Sequence, residues 1–174
     1  YRDVDGLITN IPGITLVTFY ADCVPLYLLD PVHRAIGLSH SGWRGTVNRM
    51  GEKTLDAMSA AFGTRAEDVI ACIGPSICKS CFEVGEEVVE VFCQNFSSKH
   101  LDSLFFPNGK PGKYQLDLWK ANEIVFWEAG VLPANVHTTN ICTMCNPKHL
   151  YSHRVMGNER GNLAAFLCLN DVEL

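Results

Sequence analysis

Runs rich in β-branched and aromatic residues at 14–20 (Ile-Thr-Leu-Val-Thr-Phe-Tyr) and 24–29 (Val-Pro-Leu-Tyr-Leu-Leu) predict two strands. Asp30-Pro31 marks a turn, and residues 34–38 read as a returning strand. After the glycine-rich "SGWRG" at 41–45, the positions Val47, Met50, Thr54, Met58 and Ala61 recur at helical spacing, so a helix is expected over 46–62, closed by Gly63. "VIACIG" at 69–74 predicts a buried strand, and Val84, Val88, Val91 and Phe92 place one face of a helix over 84–96. Residues 97–112, with Asn108-Gly109 and Pro111-Gly112, read as a polar loop. A short strand, "YQLDL", leads into a helix over 119–129 that Gly130 and Pro133 end, and the last third mixes strands with irregular loops. Strands and helices alternate irregularly without repeats, which favours a mixed α/β or α+β sandwich over a helical bundle.

Composition narrows the class. With 47% hydrophobic and 19% charged residues, the 174-residue chain is suited to one compact domain with a substantial core. A net charge of -5 with scattered Lys and Arg gives no footprint for a phosphate backbone, so nucleic acid is not an expected partner. No stretch reaches the roughly 18 uninterrupted apolar residues of a membrane span. The opening Tyr-Arg-Asp-Val-Asp does not read as a signal peptide, and "DGLITN" starts abruptly, as though something precedes it. Of the eight cysteines, Cys72, Cys93 and Cys168 lie in apolar runs where a free thiol acts as a small hydrophobe. A soluble, reducing, cytoplasmic setting is the expectation.

The chemistry concentrates in "ADCVPLYLLDPVHRAIGLSHSGWRG", residues 21–45. A hairpin folding between Pro31 and Val32 pairs residues whose numbers sum to 63, which sets Cys23 opposite His40, with Cβ atoms about 4.5 to 5.5 Å apart. A longer loop or a bulge at Pro25 would shift that register. A facing thiol and imidazole suit either zinc ligation with an open coordination position or a cysteine nucleophile with its base. A buried Cys and a hydrogen-bonded His without chemistry is the plain alternative. Gly42 and Gly45 allow close backbone approach, Trp43 offers a flat wall, and Arg44 near a helix start makes an anion-receiving corner.

"TFYADCVPLYLLDP", "GLSHSGWRG", "IGPSIC…CFEVG", "LDL", "ICTMC" and "YSHRVMGNERGN" together resemble, in order, the signature segments of the YfiH/YlmD family, the multicopper polyphenol oxidoreductase or laccase-domain proteins. The resemblance runs from Asp5 to Leu169. It implies an α+β fold, a layered α/β/β/α sandwich with mixed β-sheets. Residues 1–174 would then hold one such domain without an N-terminal part of the family's domain. It also implies that Cys23 and His40 are two ligands of a catalytic Zn²⁺. The family's third ligand is a His upstream of the "DGLIT" segment, where this chain has no residues; His153 is the best internal substitute, though a helper role beside Arg154 suits it better. The implied activity is phosphorolysis of adenosine, inosine and methylthioadenosine to free base and pentose 1-phosphate, with adenosine deaminase activity. The expected partners are thus a small nucleoside and phosphate, with no membrane. Arg44 and Arg154 are expected to receive phosphate, and Trp43 or Tyr151 to stack on the base, with His153 lining the site. Zinc would make water acidic enough to act on C6 of adenine at neutral pH.

Other readings stand beside this one. Copper oxidation of phenols fits poorly with six scattered histidines and no His-x-His pair. A cysteine hydrolase or amidase using Cys23 and His40, acting on cell-wall precursors, and a non-catalytic metal-binding scaffold are the alternatives. The pairs Cys78/Cys81 and Cys142/Cys145 suggest a four-thiolate zinc, but about sixty residues separate them and neither lies in a glycine-rich knuckle, so they are expected to line or underlie the pocket. Glu83 and Asp117 are read as orienting residues or as helix-start charges. His33 is expected to be solvated, and His100, His137 and His149 have no supporting context.

Overall fold

A computed structural model describes residues 4–170; the opening Tyr-Arg-Asp of the signal-peptide reading lies outside them. The framework is a five-stranded sheet in the order β1 (Gly6–Thr9), β4 (Ala35–Ser41), β3 (Val24–Asp30), β5 (Ile70–Ile73), β9 (Val136–Thr138). All neighbours are antiparallel except β5 and β9, so the sheet is mixed. β4 shows why both faces are covered. Its even positions Ile36 and Leu38 pack with Leu16, Tyr20 and Ala165 of a second sheet made by β2 (Thr15–Tyr20) and β10 (Leu163–Cys168). Its odd positions face the helix α2 (Met50–Phe62), where Ser39 accepts a hydrogen bond from Thr54 at 3.1 Å. This period-two division makes a helix, sheet, sheet layering from a single strand.

The β3–β4 hairpin corrects the expected register. Pro25 pairs with His40 and Val24 with Ser41, so partners sum to 65 rather than 63. The cause is a four-residue connection, Pro31 to Arg34, held by Asp30, whose buried carboxylate accepts the amides of Val32 (2.9 Å) and His33 (3.0 Å) and the His33 Nδ1 proton (2.8 Å). His33 is exposed, as expected, and also helps fix the turn through Asp30. A slip of two residues changes opposition but not parity. Cys23, just before β3, lies diagonal to His40 instead of opposite it, and on the same side of the sheet, against the second sheet's cluster.

The helix expected over 46–62 is two helices. Gly42, in extended conformation, starts α1 (Trp43–Val47), which therefore carries Trp43 and Arg44; the chain then breaks at Arg49, a left-handed residue with φ 57°. Arg49 is held there by Glu52 and, at 2.9 Å, by Glu128 at the end of α5 (Leu118–Glu128). A third, three-stranded sheet, β6 (Glu83–Gly85), β8 (Lys113–Leu116) and β7 (Phe105–Pro107), packs beside α3 (Glu86–Asn95). Val84 thus belongs to a strand rather than to the helix expected from residue 84.

The expected loop 97–112 also needs correction, because it contains α4 (Ser98–Leu104) and β7. Leu104 is fully buried and Phe105 meets Phe92 edge-on at 5.5 Å, so tertiary packing orders a segment whose polar surface hid three apolar anchors, Leu101, Leu104 and Phe105. Cys93 and Cys168 are exposed, contrary to the hydrophobe reading, because they fall on the outward positions of α3 and β10.

No helix among the described residues is long and apolar enough to cross a membrane.

Close packing of α2 on α5 sets one testable expectation. A Cβ on Gly51 would stand 2.9 Å from the Phe126 ring. In an open helix Gly51→Ala would gain about 1 kcal/mol, but overpacking a buried contact costs about 1 to 3 kcal/mol. Urea unfolding should show Gly51→Ala less stable than the wild type, and a gain would refute the close approach.

Candidate active site pocket

The conformation of residues 21–23 organises the site. Asp22 adopts φ 75°, a left-handed turn that Asp tolerates better than most residues, and it is nearly buried. Its two carboxylate oxygens accept different donors: the Thr143 hydroxyl at 2.6 Å and the Arg154 amide at 2.7 Å. Its own carbonyl accepts the Ile77 amide at 3.0 Å. Three segments remote in sequence are thereby tied to the residue that precedes Cys23.

The segments of Ile77 and Arg154, with residues 21–23 themselves, wall a cavity of about 420 Å³. Cys23, His40, Trp43, Arg44, His153 and Arg154 all line it, so six of the seven expected site residues converge. Tyr151 does not. Its ring covers Gly161, where a Cβ would come within 2.7 Å of it, and the base-stacking expectation for this residue is corrected on that ground. The lining also includes Asp5, Asp22, Phe82 and Arg160, none of which was singled out from the sequence. Asp22 stands beside Cys23 in "ADC", and Arg160 sits in "NERGN"; only their neighbours' identity hinted at a role.

Local contacts fix the lining residues. A Cβ on Gly42 would lie 3.1 Å from the Cys23 sulfur, so glycine is what lets the backbone pass over the thiol. His40 stands at the end of β4 and donates from Nδ1 to the Asp5 carboxylate at 3.2 Å, which leaves Nε2 free. A carboxylate behind an imidazole is the arrangement that orients histidine as a metal ligand. Burial pushes the Cys23 thiol above its ordinary range, the Asp22 carboxylate adds to this, and the Arg160 cation opposes it. A sulfur and an imidazole nitrogen are a donor pair suited to Zn²⁺.

The cationic side is built from Arg44, Arg154 and Arg160. Arg44 lies over the Trp43 ring at 4.2 Å. Arg154 donates to the Glu83 carbonyl at 3.0 Å and stands over Phe82 at 5.3 Å. Arg160 donates from Nε to His153 Nδ1 at 3.3 Å and to the Asn162 side chain at 2.6 Å. His153 is therefore presented through its Nε2 side, in keeping with a helper role. Asp117 and Glu83 take structural positions. Asp117 caps α5 by accepting the Lys120 amide at 3.0 Å, and burial raises its carboxyl pKa. Glu83 pairs with Lys110 at 2.8 Å. His100 reaches Glu128 at 3.3 Å, away from the cavity lining.

A layered mixed-sheet sandwich with a Cys and His pair at the end of its central hairpin, facing arginines, defines the class as a laccase-domain protein. The chain belongs to the family described as multi-copper polyphenol oxidoreductase laccase, whose model matches residues 1–170. It is 40% identical over 167 residues to a protein of Bacteroides thetaiotaomicron named purine nucleoside phosphorylase, covering 96% of this chain and 61% of that one. It is 38% identical over 158 residues to a protein named adenosine deaminase RL5 from an unknown prokaryotic organism, covering 91% of this chain and 59% of that one. The crystal structure of YlmD from Geobacillus stearothermophilus matches with a TM-score of 0.90 at 31% identity, covering 97% of this chain and 62% of that chain. This agreement shows the expected α+β sandwich. The chain spans about three fifths of the length of these relatives.

Removing the Asp22 carboxylate should loosen the pocket wall. Asp22→Ala leaves the fully buried Thr143 hydroxyl and the Arg154 amide without acceptors, at about 1 to 3 kcal/mol for each buried unmet group. Asp22→Asn keeps one acceptor and tolerates the left-handed turn, so denaturant midpoints should rank wild type, Asn, Ala in falling order.

Proposed function

We propose that the Cys23 and His40 pocket is a zinc-dependent purine nucleoside site, carrying phosphorolysis of adenosine, inosine and methylthioadenosine together with deamination of adenosine. The observation that carries this reading is the convergence in one cavity of a thiol, a carboxylate-backed imidazole and three arginines. The names of the relatives supply the substrate class. Cys23 and His40 would hold the metal, with a further ligand beyond this pair. Zinc held there supplies Lewis acidity and activates water at neutral pH.

The chain's own residues account for binding and orientation. Arg44 and Arg154 receive phosphate, and Arg160 adds positive charge beside His153. Arg44 is pre-positioned by its stacking on Trp43, which reduces the ordering cost of anion binding. One face of Trp43 carries that guanidinium, and the indole contributes to the cavity lining where a purine would sit. In phosphorolysis a phosphate oxygen bonds to C1′ as the C1′–N9 bond breaks, and the base leaves with the bonding pair and takes up a proton. In deamination water adds to C6 and ammonia departs. Phosphorolysis needs a phosphate held against the nucleoside, which Arg44 beside Trp43 is placed to provide, whereas deamination needs only water at C6.

The cysteine hydrolase alternative loses ground on one observation: a nucleophilic thiol needs a lowered pKa, whereas burial raises that of Cys23.

The deciding measurement is product analysis after incubating the zinc-supplied protein with adenosine, with and without phosphate. Adenine formed only with phosphate establishes phosphorolysis, inosine formed without it establishes deamination, and neither product refutes the reading. Cys23→Ser should lose this metal and both products together; activity lost with zinc fully retained would return weight to a thiol nucleophile. Arg44→Ala should raise KM for phosphate about tenfold or more, given about 1.5 to 3 kcal/mol for a charge-assisted hydrogen bond, while leaving deamination much less affected.

A further inference from the structure

The two Cys-x-x-Cys segments, separated in sequence, meet in space. The sulfurs of Cys78, Cys81, Cys142 and Cys145 all lie within 4.8 Å of one another, and none of the four residues lines the pocket. The expectation that they line the pocket is thereby corrected: they form a cluster of their own, beside the lining residues Ile77 and Phe82. Backbone pairing explains the meeting. Ser76 and Cys142 form a parallel bridge, with the Ser76 amide donating to the Ile141 carbonyl at 3.1 Å and the Thr143 amide donating to the Ser76 carbonyl at 3.2 Å. Ser76 is further pinned by Trp119, whose indole N–H reaches its hydroxyl at 2.6 Å.

We propose that these four cysteines form a second, structural zinc site that staples the loop after β5 to the loop carrying Thr143 and leading to His153 and Arg154. Tetrahedral zinc with bonds of about 2.3 Å holds four thiolates about 3.8 Å apart. Sulfurs all within 4.8 Å of one another, with Cys81 and Cys145 at 3.5 Å, lie close enough to settle onto that edge and are too tight for an iron–sulfur cube, which spreads its cysteines around a larger core. Each pair bends as a metal-binding turn does: the amides of Cys78 and Cys145 both donate to the Cys142 sulfur, at 3.3 and 3.4 Å, and the Cys81 amide donates to the Cys78 carbonyl at 3.0 Å. Amides aimed at sulfur stabilise thiolate charge.

Zinc binding replaces the thiol protons, releases them to solvent, and leaves the donor set ionised. The proposal is independent of the Cys23 and His40 reading, because it uses different residues and a closed coordination shell.

Alkylation of the native, zinc-supplied protein followed by peptide mapping tests it on the wild type. Cys93, Cys145 and Cys168 are all solvent-exposed, so without a metal they should react at similar rates. The expected result is fast labelling of Cys93 and Cys168, with Cys78, Cys81, Cys142 and Cys145 protected until zinc is extracted by a chelator. Labelling of Cys145 at the rate of Cys93, or its recovery in a disulfide with Cys81, whose sulfur lies 3.5 Å away, overturns the proposal. Cobalt substitution supplies the second readout. The intense sulfur-to-cobalt charge-transfer band of a four-thiolate site should persist in Cys23→Ser and disappear in the Cys81→Ser/Cys145→Ser double variant, with loss of one metal equivalent per chain. A band that follows Cys23 instead would refute the four-cysteine site while leaving the nucleoside reading standing.

Discussion

The buried carboxylate of Asp22 is the joint on which the functional end of this protein turns. A carboxylate nearly removed from solvent is costly unless its oxygens are met, and here Thr143 and Arg154 meet them while the Asp22 carbonyl accepts Ile77. One residue thereby helps determine where Cys23 emerges, where the loop of Thr143 approaches, and where Arg154 sits in the first turn of its helix, α6 (His153–Met156). Because the backbone at Asp22 is left-handed, the chain turns sharply between β2 and β3. The thiol at residue 23 then faces the second sheet's cluster rather than the helix side.

Around that joint the sheet supplies rigidity and the loops supply chemistry. β3 and β4 are buried along most of their length, so the positions of Pro25 and His40 are set by core packing. Trp43, Arg44, His153, Arg154 and Arg160 come from short helices and connections at the strand ends, where backbone groups are free to face a ligand. Asp5 backs His40, Trp43 carries Arg44, and Arg160 holds His153: each polar group of the pocket already has a neighbour that restricts its rotamer.

Much of this was legible in the sequence. The strands at 14–20, 24–29 and 69–74 announced themselves through β-branched and aromatic residues, and Gly63 ended its helix with the positive φ of 77° that glycine allows. Cys23 and His40 were recognisable as a pair because face parity survives a register slip of two; their direct opposition was not, because Asp30 builds a longer turn than Asp-Pro alone suggests. The order in 98–107 was hidden because Leu101, Leu104 and Phe105 are too few for a periodic signal and depend on Phe92 and its neighbours for burial. Nor does any local rule bring Cys81 to Cys145. Their separation looked like evidence against a common role, whereas a pairing of Ser76 with Cys142 erases the distance. Arg160 went unnoticed for the same reason, since its partner His153 is reached only after a turn through Gly157, which has a φ of 58°.

The Ser76 and Cys142 bridge also bears on the order in which the molecule assembles. Closing a loop of that length costs about 4 kcal/mol in chain entropy, whereas the β3–β4 hairpin closes over only four residues. The hairpin and the adjoining α2 are therefore local units that form early, and the wall carrying residues 139–154 joins them late. The fold thus separates an early-formed bed, which holds His40, from a later-docking wall, which brings Arg154 across to it.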